Sequence, residues 1–256
     1  MNFFKKLFSD SNKAKQNKLL DLLRPMMKEA VQIHVQEAGR QPADSNLRSQ
    51  FGGMPYLESA SDWPTTKSGN PLHFVFQIFN NGDIRLPDNL KLLQFFYDFE
   101  ESAWSTDDDG WKLNLYETID ASKAIVFEKP ITNGPAEYCQ MKFQKIMSLP
   151  DWDGINSLSQ EISDLCSDIN DDEPWEAYDQ AVAELVGDTD FDSQIGGYPK
   201  WIQADGTPTY PDGTPTPFLL QIDSEELAGL MWGDSGMVYF FYNRIDGSIN
   251  FELQCF

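Results

Sequence analysis

Apolar positions recur along the chain at two spacings, and the change of period predicts where helices give way to strands. Over 12–38, Leu19, Leu22, Leu23, Met26, Ala30 and Ile33 fall at steps of three and four, the period of a helix with one buried face. Pro25 interrupts the run. It lacks a backbone donor and its ring crowds the preceding turn, so two helices or one kinked helix are predicted there. After a polar, turn-rich connection over 39–50, short apolar runs alternate with clusters of Gly, Pro and Asp. Leu72–Phe79, Leu92–Phe99, Trp111–Tyr116, Ala124–Phe127 and Lys142–Met147 read as strands. Helices are expected over Leu158–Leu165 and over Trp175–Val186, the latter opened by Pro174 and closed by Gly187. Phe218–Ile222, Met237–Tyr242 and Ile249–Leu253 read as strands again. In the last, Ile249, Phe251 and Leu253 alternate with Asn250, Glu252 and Gln254, one face buried and one wet.

The pattern is also self-similar. Phe51–Ile78 aligns with Ile195–Ile222 without a gap, with eleven of 28 positions identical, among them Gly52/Gly196, Gly53/Gly197, Pro55/Pro199, Phe74/Phe218 and Gln77/Gln221. One inserted residue later, Phe95-Phe96-Tyr97 matches Phe240-Phe241-Tyr242. Each copy has a Gly-Gly-x-Pro turn, a proline-punctuated extended segment and three strands, and three strands cannot bury a face alone. The expected fold class is therefore α+β: a tandem duplication of a three-stranded antiparallel unit packed about a pseudo-twofold axis, with an N-terminal helical arm. The arm is assigned to 1–46 and the duplicated domain to 47–256, repeat one covering about 51–120 and repeat two about 195–256.

With 41% hydrophobic and 23% charged residues, the 256-residue chain has the composition of a globular protein and excludes a disordered one. Its 19 Lys+Arg against 41 Asp+Glu give a net charge of −22, a field that repels phosphate backbones and anionic lipid, so no nucleic acid is expected as partner and the body is not expected on a membrane surface, with attachment through residues 1–20 a weaker third reading. The charge is uneven. Residues 1–40 hold eight basic and four acidic side chains, net +4, leaving 11 against 37, net −26, for the rest. The basic arm is expected to dock on the acidic body, and the body to attract a basic protein partner. Met1–Phe8 lacks the apolar core and cleavage site of a signal peptide, and no apolar run nears the length of a membrane span. Cys139, Cys166 and Cys255 are odd in number and far apart, which reads as reduced thiols and a cytoplasmic setting.

Candidate chemistry is sparse. Gly233-Asp234-Ser235-Gly236 has the look of a nucleophilic serine turn, but neither His34 nor His73 has the sequence context of its base, and a tight turn explains it. Asp188, Asp190 and Asp192 open like a calcium loop, yet Ser193 and Pro199 stand where that loop needs Gly and Glu. No zinc spacing and no phosphate loop occurs, so no catalytic residue, metal or cofactor is expected. Gln77 and Gln221 stand out, one amide in each of two matched apolar strands. A buried amide must find partners, so each either braces its Gly-Gly-x-Pro loop or, with Trp63, Trp201 and Trp232, lines one ligand cleft between the repeats beside Asp234.

The order FGGMPYL, GNPLHFVFQI, LQFF, IGGYPKWIQ, LLQIDS and MWGDSG resembles the YwqG-like family, domain-of-unknown-function family 1963, over about 47–256. The resemblance implies a soluble bacterial α+β protein built by tandem duplication, with no established enzyme activity. Some members look like immunity or interaction proteins near secreted toxins. The expected function is a non-catalytic cytosolic interaction protein, extending to an immunity-type inhibitor of a basic toxin. The alternative is a small-ligand binder or hydrolase using the aromatic–glutamine cleft.

Overall fold

Helix α1 (Phe3–Leu23) stops at the break that Pro25 imposes, which falls in a 3-10 turn over Arg24–Met26. The computed structural model describes residues 3–36, 39–42, 46–82, 84, 86–87, 89–125, 131–187 and 193–256, with side chains from 12 onward. Beyond the turn the chain departs from the helical arm expected over 1–46. Lys28–Val35 is a strand, β1, with neighbours on both sides. Val31, Ile33 and Val35 are β-branched and alternate at a step of two, and pairing on both flanks favours that period over the helical one that Ala30 and Ile33 also satisfy.

The remaining strands are β2 (Gln50–Phe51), β3 (His73–Phe79), β4 (Leu92–Tyr97), β5 (Trp111–Tyr116), β6 (Cys139–Ser148), β7 (Gln194–Gly196), β8 (Phe218–Asp223), β9 (Met237–Tyr242) and β10 (Ile249–Gln254). All ten form one sheet in the order β10-β9-β8-β7-β1-β6-β2-β3-β4-β5, antiparallel at every pairing. The two long strands β1 and β6 lie together at its centre, from Lys28 opposite Ser148 to Val35 opposite Met141. Gln50 of β2 pairs with Gln140 of β6, and Gln194 of β7 with Gln32 of β1. Of the expected strands, Ala124–Phe127 differs. Ala124 and Ile125 lie outside any strand, Ile125 N–H donating to Leu57 O, and 126–127 lie outside the described residues.

The two flanks of the sheet curl toward each other, and their inner faces share the main core. Phe76 and Phe95 of one flank meet Phe240 of the other at 6.3 and 4.8 Å between ring centroids, and Phe95 meets Phe251 at 5.8 Å. A register shift between Phe74 and Phe76 turns Phe74 outward while Val75 and Phe76 both face the core; the shift between Phe218 and Leu220 does the same for Phe218. The proline-punctuated segments then cover the outer faces. Leu57, Trp63 and Leu72 lie over Phe74 and Phe96, and Trp201 lies over Phe241. Each segment is aimed by its Gly-Gly turn. Gly197 has φ +75°, and a Cβ there would lie 2.7 Å from the Cβ of Ser148, so only glycine lets the loop pass the end of β6.

Between β6 and β7 the chain makes α2 (Trp152–Leu158), α3 (Gln160–Ile169) and α4 (Pro174–Val186). Ser159 ends α2 and caps α3 by accepting Ile162 N–H, so the single helix expected over Leu158–Leu165 is two. Leu19, Leu20 and Leu23 of α1 pack with Ile162, Leu165 and Tyr178 in a second core. Lys18 reaches Glu161 at 2.9 Å and Lys15 reaches Asp168 at 3.7 Å, so the basic helix does dock on an acidic one. No described helix is long and apolar enough to cross a membrane.

Candidate functional site

Gln77 and Gln221 are fully buried and are used alike. Gln77 Oε1 accepts Tyr56 N–H at 3.0 Å, and Gln221 Oε1 accepts Lys200 N–H at 2.9 Å, each the residue after Gly-Gly-x-Pro. Gln77 Nε2 also donates to Arg48 O at 2.8 Å. Gln94 donates to Gln77 Oε1 and to Tyr56 O, while Tyr239 OH donates to Lys200 O at 2.7 Å. A second buried pair was legible only one residue upstream of the aligned segments. Gln50 Nε2 donates to Gly52 O at 2.7 Å, and Gln194 Nε2 to Gly196 O at 3.1 Å. These amides tie each turn to the sheet behind it.

The three tryptophans do not gather at one cleft. Trp63 belongs to the outer cluster of the first flank, Trp201 to that of the second, and Trp232 to the main core. Trp232 stacks on Phe99 at 5.8 Å and donates its Nε1–H to Asp223 O, which makes it a strut between the flanks. The aromatic–glutamine cleft between the repeats is thereby corrected: the bulge that sends Val75 and Phe76 inward fills that space with packed rings. Asp234 is exposed and its carbonyl accepts Phe256 N–H at 3.1 Å. Ser235 makes no hydrogen bond to either histidine among the described residues; His34 bonds Gln144 at 3.2 Å, and His73 Nδ1 is buried without a partner. Among those residues, no group of three His, Cys, Asp or Glu is placed to hold a metal. The Asp188, Asp190 and Asp192 run lies outside them. Burial pushes the Cys166 thiol up to about 11 and raises that of Cys139, against the thiolate a nucleophile needs.

Two surface features stand out, one in the second flank and one where the flanks meet. The first is a cavity of about 640 Å³ beside Trp201, walled by Tyr198, Phe218 and Phe241. Trp201 is held from behind. Asp151, which begins α2 by accepting Gly154 N–H at 2.7 Å, also accepts the backbone N–H of Trp201. Burial pushes the Asp151 carboxyl up to about 6, opposed by those two N–H groups and by Lys200. Lys200, itself buried, donates to Leu149 O at 3.2 Å, and burial lowers its pKa against the pull of Asp151 and Asp179. A larger hollow of about 1030 Å³ crosses β1 and β6 near Glu29 and Lys145, two exposed side chains.

The second feature is an exposed apolar patch. Met231 and Phe256, 59% and 73% exposed, edge one shallow hollow with Asp223 and Glu226. Trp104, 49% exposed, reaches the turn at Gly233 beside Cys255. Asp108 pins that tryptophan by accepting Trp104 N–H at 2.8 Å and Ser105 N–H at 2.9 Å, and these bonds lower its pKa. Sequence reasoning missed the patch because its members come from three separate segments.

A family model described as domain of unknown function (DUF1963) matches residues 49–249, and the chain belongs to that family. No curated protein matches the chain.

Proposed function

We propose that this DUF1963 protein is a non-catalytic interaction module that binds a basic protein partner, a use that extends to inhibition of a basic toxin. The carrying observation is the patch of Trp104, Met231 and Phe256, exposed large apolar side chains, with Asp223 and Glu226 on the same hollow, Asp108 bonded to the Trp104 backbone and Asp234 beside Phe256. Apolar anchors supply affinity once water is excluded, and the carboxylates around them steer and select a cationic surface. The net charge of −22 extends that steering over the whole body. Three free cysteines, two of them buried, favour a reducing cytoplasmic setting.

The reading extends to the architecture, taken as one unit written twice about a pseudo-twofold axis. Its support is the palindromic strand order, the matched register shifts and the matched bridges Thr65–Pro71 and Thr209–Pro215. Ser49 Oγ accepts Phe79 N–H at 2.9 Å and Ser193 Oγ accepts Asp223 N–H at 3.0 Å, which favours it too. The repeated unit then begins with β1 or β6 and has five strands rather than three.

The test is quantitative capture from native lysate on the wild-type chain and on a Trp104→Ser/Phe256→Ser variant. A basic protein retained at low salt, released by salt and lost from the variant is the expected result. No retained protein, or equal retention by the variant, overturns the reading.

A further inference from the structure

Trp201 is only 3% exposed, yet its indole Nε1–H has no hydrogen-bond partner among the described residues. It is not a sealed, stranded donor either, because it borders the cavity of about 640 Å³. Trp63 Nε1 donates to Leu72 O at 2.9 Å and Trp232 Nε1 to Asp223 O at 3.1 Å, so Trp201 departs from the habit of the other two core tryptophans. An indole N–H left open at a pocket wall is a donor awaiting an acceptor.

Two cations, Lys28 and Arg244, line the same cavity. Lys28 lies 3.8 Å above the Tyr198 ring, and neither it nor Arg244 forms an ion pair among the described residues. Asp205 is the one carboxylate among the described lining residues, and its Oδ1 is already occupied by the N–H and the hydroxyl of Thr207. The walls are aromatic, with Trp201 stacked on Phe241 at 6.1 Å and Phe218 edge-on to Phe241 at 5.7 Å. A volume near 640 Å³ suits a molecule of ligand size.

The first flank shows what closing this space takes. In the ungapped alignment Trp63 stands at the position of Thr207, Leu72 at that of Thr216 and Leu57 at that of Trp201. Trp63 lies on Phe96 at 5.3 Å and fills the matched place. In the second flank Trp201 lies over Phe241 instead, a threonine stands at the aligned position, and the space beside it is open.

We infer that the cavity beside Trp201 is a binding site for a small organic anion with a flat apolar body, an aromatic carboxylate in chemical class. Its ring lies among Tyr198, Phe218 and Phe241, and its carboxylate takes the donors of Trp201, Lys28 and Arg244. The site stands apart from the acidic patch and does not depend on a protein partner.

The probe is 1-naphthoate, titrated calorimetrically into the full chain beside neutral 1-naphthamide and cationic 1-naphthylmethylamine. Saturable one-to-one binding of the naphthoate alone is expected. Trp201→Phe keeps the ring and removes the donor, and weakens binding about tenfold. Thr207→Trp fills the cavity and abolishes binding, with circular dichroism and the melting curve certifying its fold. Absence of saturable naphthoate binding overturns the inference. So does equal binding of the amine, or unchanged binding by a folded Thr207→Trp variant.

Discussion

The two flanks of the sheet use the same inner construction and differ on the outside. In both, a buried glutamine of the third strand from the centre holds the residue after Gly-Gly-x-Pro, and in both a bulge turns one phenylalanine outward. Over Phe74 the outer layer is closed by Trp63; over Phe218 it is left open beside Trp201. The lesson concerns which positions a fold constrains. The amides that orient the loops are fixed by backbone donors that have nowhere else to go, whereas the residue at the Trp63/Thr207 position only fills space and is free to empty it.

The sharpest way to break this comparison is to empty the closed side. Trp63→Thr gives the first flank the residue of the second. It removes a ring packed against Phe96 and the bond to Leu72 O, so a loss of about 3–5 kcal/mol is expected in denaturant unfolding. A loss below about 1 kcal/mol means that Trp63 packs no differently from a surface residue.

Next come the braces, where the flanks are expected to agree. Gln77→Ala strands Tyr56 N–H and Gln221→Ala strands Lys200 N–H, both buried. Each is expected to cost about 2–4 kcal/mol, from one unpaired donor plus a small void. Melting curves check this. An unchanged melting point for Gln221→Ala removes the brace and with it the shared inner construction.

How much of this was legible follows the same division. Strands such as Met237–Tyr242 and the turn at Pro25 were readable because local period and backbone chemistry decide them. The period of Lys28–Val35 was ambiguous, and pairing with residues 141–148 and 194–196, far along the chain, decided for a strand. That central strand draws the segment before residue 46 into the sheet. Of the candidate residues, Gln77 and Gln221 were found by being polar where their neighbours were not. Trp201 was found by type alone, because its open N–H depends on Asp151, fifty residues away in sequence, drawing its backbone onto α2. Lys200 gave no signal at all: a lysine after proline reads as exposed, and only the structure buries it.

The open side rests on a titratable support. The folded pKa of Asp151, about 6, lies above its ordinary 3.8 because burial disfavours the charged form. Between those values the folded chain keeps a proton that the unfolded chain has released. The stabilisation from this group is therefore full below about pH 4 and is lost as pH rises through about 6, a span of at most about 3 kcal/mol. Asp151→Asn is expected to flatten that slope, whatever it does to absolute stability. Urea unfolding of both chains from pH 4 to 7 measures it, and parallel slopes refute the assignment. Glu252, Asp153 and Asp179, also raised by burial, supply the slope that stays.

The smallest effect is the most discriminating. Thr207→Trp gives the second flank the residue of the first, and the cavity of about 640 Å³ has room for an indole. It forfeits the Thr207 hydroxyl's bond to Asp205, worth about 1 kcal/mol, and keeps the backbone bond to the same carboxylate. New ring contacts with Phe241 offset that loss, so a net change within about 1 kcal/mol of wild type is expected. Overpacking would instead cost several times more, because a filled interior resists an added ring. A near-neutral Thr207→Trp beside a costly Trp63→Thr therefore means that the second flank holds real empty space at a position the fold tolerates filling. Two costly substitutions mean that both sides are already full, and the contrast between the flanks disappears.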